Sequence, residues 1–206
     1  MPTEISNSLD SNNIFPMDVK SKKKRLFTSV GKVVWLCGLS GSGKSTIALL
    51  TKTHFENFGV LATILDGDNL RSGINNNLSF SESDRAENIR RSAEVAKLFQ
   101  ENNVLTICSF ITPTEEIREK VRSIIGSENL IEVYISTSVS ECEKRDVKGL
   151  YKKARLGEIQ NFTGINSPFE RPTHIDIEIQ TEGRTPEECS LELIDFLNPI
   201  VFGDQP

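Results

Sequence analysis

Val33-Val34-Trp35-Leu36-Cys37-Gly38-Leu39-Ser40-Gly41-Ser42-Gly43-Lys44-Ser45-Thr46 is the stretch that decides the fold. Its first five residues form an apolar run rich in β-branched and aromatic side chains, the pattern of a short buried strand. The nine that follow satisfy G-x-x-x-x-G-K-[ST], and the pattern beyond them predicts a helix over 44–58. In a strand–loop–helix context the glycines let main-chain N–H groups curl around phosphate oxygens. Lys44 adds charge at the β/γ-phosphates, the Ser45 hydroxyl can hold Mg²⁺, and the positive end of the helix faces the same anion. Gly38, Leu39, Ser40, Gly41, Ser42, Gly43, Lys44, Ser45 and Thr46 are therefore the expected ATP-binding loop. A flexible Gly/Ser turn is the alternative, but it gives no reason for the Lys-Ser pair. The loop implies an ATP or GTP user and leaves the acceptor open.

Working outward, further β-rich runs appear at Leu61–Asp66, Leu105–Phe110, Ile131–Ile135 and Ile175–Ile179. Helical patterns near 83–101, 114–124, 138–147 and 186–197 lie between and after them. Ser81 with Asp84 reads as a capping box, and Ile89, Ala93, Ala96 and Phe99 recur on one face of the helix that follows. Alternation of this kind predicts an α/β fold of the P-loop NTPase kinase type, with a mostly parallel sheet and helices on both faces. Ligands in such sheets sit outside the carboxyl ends of the strands.

Composition narrows the partners. The 206 residues carry a net charge of −5, which argues against a general nucleic-acid binder, and no apolar run approaches a membrane span. No signal-peptide core follows the N-terminus, so a cytoplasmic location is expected. Cys37, Cys108, Cys142 and Cys189 lack the spacing of zinc sites or disulfide frameworks and read as free thiols, Cys37 and Cys108 as buried ones. Residues 1–25 end in Ser21-Lys22-Lys23-Lys24-Arg25 and read as a flexible polar and basic arm, leaving 26–206 as one domain.

The second strand ends in Leu65-Asp66-Gly67-Asp68-Asn69-Leu70-Arg71, which puts two carboxylates near the γ-phosphate. A carboxylate there can orient a hydroxyl and accept its proton, or hold Mg²⁺ through water. The alternative is an ordinary turn capped by its aspartates. Arg85 and Asn88 share a helix face and, with Arg71, could form a fork for a second anion; solvated surface arginines are the alternative. Phe80 reads either as a hydrophobic staple or as half of an aromatic sandwich around a base. Residues 141–155 carry an excess of three positive charges, with Gly149 and Gly157 as flexible points, so a mobile cationic lid is expected. A solvated amphipathic helix would look the same. His174 precedes a strand without an evident carboxylate partner and reads as structural.

Taken together these residues resemble the adenylylsulfate kinase (APS kinase) family. The matching stretches are GLSGSGKST at 38–46, LDGDNLR at 65–71, FSESDRAENIRR at 80–91, SFITP at 109–113, KGLYKKARLGEIQNFTG at 148–164 and PFE at 168–170. The resemblance implies transfer of the ATP γ-phosphate to the ribose 3′-hydroxyl of adenosine 5′-phosphosulfate (APS) with Mg²⁺, in sulfate activation. It implies that Arg71, Arg85 and Asn88 hold the phosphosulfate and ribose, that Phe80 and Phe162 stack on the substrate adenine, and that Ile111 contributes main-chain contacts. Lys148 falls in the matching lid. Lys44 and Asp68 are the expected catalytic residues, with Asp66 and Ser45 toward the metal. A homodimer is implied as well. No sulfurylase-like domain fits within 206 residues, so that activity is expected on another chain.

The chain departs from the family pattern at Thr112, where serine is usual, and after Glu170, where Arg-Pro-Thr-His replaces Ala-Pro-Glu. The arm shows no clear family motif. Two other readings stand beside this one: a P-loop kinase of another small acceptor, such as a nucleotide or sugar, and a non-catalytic nucleotide-binding module.

Overall fold

The structure, a computed structural model, describes residues 31–203; the expected arm over residues 1–25 lies outside the described residues. Five strands form one sheet: β1 (Val33–Cys37), β2 (Ala62–Asp66), β3 (Leu105–Ser109), β4 (Leu130–Ser136) and β5 (Ile177–Gln180). Every pairing is parallel and the order is β2-β3-β1-β4-β5. The strands occupy the expected places, with β5 displaced two residues at its start.

β1 is central and wholly buried, because both faces of the sheet are covered. Val34 and Leu36 point to one face, where they meet Ile47 and Phe55 of helix α1 (Lys44–Asn57) and Leu193 and Leu197 of helix α7 (Pro186–Phe202). Val33, Trp35 and Cys37 point to the other. There they pack with Ile89, Ala93 and Ala96 of α3 (Glu82–Glu101) and with Val121 and Ile125 of α4 (Glu115–Ile125). A period of two on one strand thus serves two helical layers. Among the described residues no helix is long and apolar enough to cross a membrane.

Several local expectations need correction. The 65–71 stretch is not a bare turn: Gly67–Ser72 forms a short helix, α2, with Asp66 as its N-cap. Phe99, expected on the buried face of α3, is 38% exposed and stays outside the apolar cluster. The Ser81 hydroxyl does cap α3, accepting from the Asp84 N–H, but the Asp84 carboxylate does not return to the Ser81 main-chain N–H. It accepts instead from the N–H and hydroxyl of Ser79, and Ser79 Oγ in turn accepts from the Ser81 N–H at 3.3 Å. Aspartate is one methylene shorter than the glutamate of a capping box, and Ser79 spans the difference. α7 runs through Pro199 to Phe202, five residues past its expected end, behind a complete capping box of Thr185 and Glu188.

The basic segment folds as two short helices, α5 (Val139–Arg145) and α6 (Leu150–Arg155), joined at Gly149. Leu39, Cys142, Tyr151, Ala154 and Phe162 form a third small apolar cluster that binds α6 to the phosphate loop. All four cysteines are free and buried, and burial pushes the Cys37 thiol up to about 12. His174, read as structural, is exposed.

Candidate active site

Because all five strands run the same way, their carboxyl ends share one edge of the sheet. The phosphate loop leaves β1 there. Gly38 sits at φ +151, and a Cβ on it would approach the Ile135 carbonyl oxygen to 2.6 Å, so no side chain fits between the loop and β4. Gly43, at φ +103, turns the chain into α1. Within the loop the Lys44 ammonium donates to the Leu39 carbonyl at 2.6 Å. Lys44 is 8% exposed, and burial lowers its pKa to about 8.

The neighbouring strand ends bring oxygen ligands to the loop. Asp66 and Ser109 are register partners on β2 and β3. Ser45 Oγ reaches both, donating to Asp66 Oδ2 at 2.7 Å and lying 3.2 Å from Ser109 Oγ. Asp66 Oδ1 accepts from the Asp68 N–H at 3.0 Å, so the N-cap of α2 fixes the carboxylate's orientation. These hard oxygen donors beside a buried ammonium fit Mg²⁺, which takes one or two protein ligands and completes its shell with phosphate and water. Among the described residues no group of three His, Cys, Asp or Glu could form an all-protein cage.

A cavity of about 510 Å³ opens from this corner. Ser40, Lys44, Ser45, Asp66 and Asp68 line the phosphate end. Arg71, Phe80, Arg85, Asn88, Ile111, Lys148 and Phe162 line the rest, so every residue singled out for acceptor binding faces one space. Gly38, Leu39, Gly41, Ser42, Gly43 and Thr46 do not line it; they shape the loop behind Lys44 or, as with Leu39, pack beneath it.

The two arginines flank one ring. Arg71 lies 4.5 Å and Arg85 5.5 Å from the Phe80 centroid. Both bond mainly to main-chain carbonyls: Arg71 to Ser79 at 2.9 Å, and Arg85 to Phe80 at 3.0 Å and Asn161 at 2.7 Å. Burial depresses both pKa values, and the nearby Arg71 charge adds to the effect at Arg85. Neither makes a salt bridge among the described residues, although the Asp84 and Asp68 carboxylates lie near enough to Arg71 to favour its charged form. The two phenylalanines differ. Phe80 is 58% exposed, whereas Phe162 is 8% exposed with its ring edge-on to Tyr151 at 4.9 Å.

The basic segment is less of an anion-facing surface than its charge suggests. Arg145 points inward to Thr181, and Arg155 pairs with Glu143 and Lys144 with Glu141. Lys148 alone of its six cations lines the cavity, and its ammonium donates to Asp68 Oδ2.

Several contributors had no sequence signal. Arg118, on α4, is 1% exposed and donates to Glu115 Oε2 (2.9 Å), the Thr112 carbonyl (2.8 Å) and the Glu170 carbonyl (3.1 Å). Burial opposes ionisation of Glu115, but hydrogen bonds from Arg122 and Arg118 hold it down at about 2. Glu170 Oε2 caps α4 by accepting from the Glu115 N–H at 2.7 Å. The Thr112 hydroxyl accepts from the Trp35 indole at 2.9 Å, and Thr114 takes the N-cap position of α4 without a side-chain bond.

Residues 30–180 match the adenylylsulphate kinase family. The adenylyl-sulfate kinase of Bacteroides fragilis is 50% identical over 196 residues, covering 93% of this chain and 97% of its own. That of Staphylococcus epidermidis is 48% identical over 191 residues, covering 91% and 96%. The solved Mycobacterium tuberculosis APS kinase in complex with AMPPNP and APS superposes with a TM-score of 0.79 at 44% identity, covering 82% of this chain and 99% of its own. With the phosphate loop, Arg71, Arg85 and the basic 141–155 segment all lying inside the matched region, the chain belongs to the adenylylsulphate kinase family.

Proposed function

We propose that this protein transfers the γ-phosphoryl group of ATP to the 3′-hydroxyl of APS, giving 3′-phosphoadenosine 5′-phosphosulfate and ADP. The observation that carries the reading is a single cavity with a phosphate loop at one end and, at the other, an exposed phenylalanine with two arginines against its ring, neither of them in a salt bridge among the described residues. The phosphate loop serves ATP with any acceptor, whereas the ring suits a base and the arginines a dianion, and a neutral sugar has no charge for the arginines.

In this reading Lys44 stabilises charge on the moving phosphoryl group. Ser45 and Asp66 would hold Mg²⁺, the latter through water, and the ion would neutralise charge on the phosphate oxygens. Asp68 orients the acceptor 3′-hydroxyl and takes its proton. Arg71, Arg85 and Asn88 hold the phosphosulfate and ribose, Phe80 and Phe162 contact the adenine, and Ile111 contributes its main chain. Lys148 leaves Asp68 for the acceptor as the site fills. An exposed ion pair of this kind contributes only about 0–1 kcal/mol, so the exchange is inexpensive. A cytoplasmic location accords with four unpaired thiols. The homodimer rests on the family resemblance and is checked by sedimentation.

The test is a coupled assay of ADP release from MgATP with and without APS. APS-dependent release is expected. Release that depends on a sugar or another nucleotide, and not on APS, would overturn the assignment.

A further inference from the structure

The amide of Asn88 is oriented by a residue that does not line the cavity. Asn75 lies in the turn between α2 and α3 and is 0% exposed. Its Nδ2 donates to Asn88 Oδ1 at 3.0 Å and lies 3.5 Å from the Asn88 main-chain carbonyl. That carbonyl can only accept, as it also does from Ser92 Oγ at 2.6 Å. The nitrogen of the Asn75 amide therefore faces α3, and Asn88 meets it with its oxygen. This leaves Asn88 Nδ2, without a partner among the described residues, on a side chain that lines the cavity.

Asn75 is poorly explained by packing alone. Its own Oδ1 is buried with no hydrogen-bond partner. A buried amide that leaves half of itself unsatisfied is less stable than an apolar residue of similar size would be. The main-chain bond from the Asn75 N–H to the Leu70 carbonyl, 2.8 Å, would form with any residue but proline.

We infer that Asn75 is a positioning residue for acceptor recognition: it locks the Asn88 amide with Nδ2, not Oδ1, toward the acceptor. The cavity wall then presents donors from Arg71, Arg85 and Asn88 together, and no lone pair opposes an anion or a ribose oxygen. The inference rests on the reading of APS as acceptor.

A double-mutant cycle on the full chain tests it, with steady-state kinetics for APS and MgATP. Asn88→Ala and Asn75→Ala each raise the KM for APS by about tenfold, the scale of one lost hydrogen bond to a charged group. The double variant is no worse than Asn88→Ala by more than about twofold, and the KM for MgATP stays within about twofold throughout. Asn75→Asp keeps the volume but offers only acceptors, so Asn88 turns its nitrogen inward and its oxygen toward the anion. It raises the KM for APS beyond Asn75→Ala, and that excess disappears in the Asn88→Ala background. Asn75→Asp carries the test if the alanine variant does not fold. Additive losses, equal rises in both KM values or an unchanged KM for APS would overturn the inference while APS turnover by the wild type stands. Wild-type protein inert toward APS would refute the acceptor, and this inference with it.

Discussion

Lys148 and Asp68, eighty residues apart in the chain, meet across the mouth of the cavity, the ammonium donating to Asp68 Oδ2. Asp66, two residues earlier, is bound to Ser45 at 2.7 Å. The two aspartates thus have different neighbours: one faces the lid, the other the phosphate loop. Asp68→Asn is expected to lower kcat by about 10²–10⁴, the range for loss of a general base, with the KM for MgATP nearly unchanged. Steady-state kinetics decide it. Collapse of MgATP affinity with kcat intact would reverse the two roles.

Lys44 gives a pH prediction with a definite sign. Burial lowers its pKa to about 8, so the free protein begins to lose this proton just above neutrality. Phosphate oxygens beside the ammonium favour the charged form and raise the pKa in the complex. MgATP binding should therefore take up little proton at about pH 7 and substantially more at about pH 8.5, and affinity should fall as the pH rises through 8. Calorimetry in buffers of different ionisation enthalpy reads the uptake directly. Lys44→Ala should abolish the pH-dependent difference and cost about 10²–10³ or more in kcat while the domain stays folded.

The exposures of Phe80 and Phe162 separate binding from stability. Phe80, 58% exposed, should tolerate Phe80→Ala with little change in Tm but weaken APS by about 1–3 kcal/mol through lost stacking. Phe162, 8% exposed against Tyr151, should lose about 3–5 kcal/mol of stability as alanine, in addition to any binding loss. Thermal melts beside APS titrations distinguish the two. A large drop in Tm for Phe80→Ala with unchanged APS binding would make that ring a packing residue.

What could be read from sequence was what local pattern encodes. The β1 run, the loop glycines and the alternation of strands with helices follow from periodicity and turn chemistry, and they place the site at the strand ends. α2 escaped because six residues opening with glycine have no amphipathic period, and Asp-Gly reads as a turn. Arg118 escaped for another reason. In Glu115–Ile125 it reads as one more charge on a solvated helix, and only the fold shows it inside, joining the Thr112 carbonyl to that of Glu170, 52 residues beyond Arg118 in the chain. Asn75 is similar, since nothing local distinguishes an orienting amide from a turn asparagine. The charge of the 141–155 segment overstates its anion-facing surface because three of its six cations, Lys144, Arg145 and Arg155, find partners within the segment or in the loop before α7.

Thr112 stands where the resembled family has serine, and its surroundings argue for direct in-line transfer with no phosphothreonine on the path. The residue is 1% exposed and held at φ +44, an uncommon backbone for a β-branched side chain. Its hydroxyl accepts the Trp35 indole N–H, and among the described residues no carboxylate or histidine accepts from it. Arg118 fixes its carbonyl at 2.8 Å. A nucleophile needs a base within hydrogen-bonding reach, and this hydroxyl has an indole donor instead. Its role is to seat the loop that carries Ile111, whose carbonyl accepts from the Gly38 N–H at 3.3 Å and so joins the acceptor wall to the phosphate loop. Thr112→Ser should behave nearly as the parent. Thr112→Ala leaves the indole unpaired, which should lower Tm and reduce activity by about ten- to a hundredfold without abolishing it. Rapid-quench phosphopeptide analysis during turnover checks the chemistry. A phosphothreonine at 112 that forms and decays at the rate of kcat, with an inactive alanine variant, would establish a covalent relay in place of direct transfer.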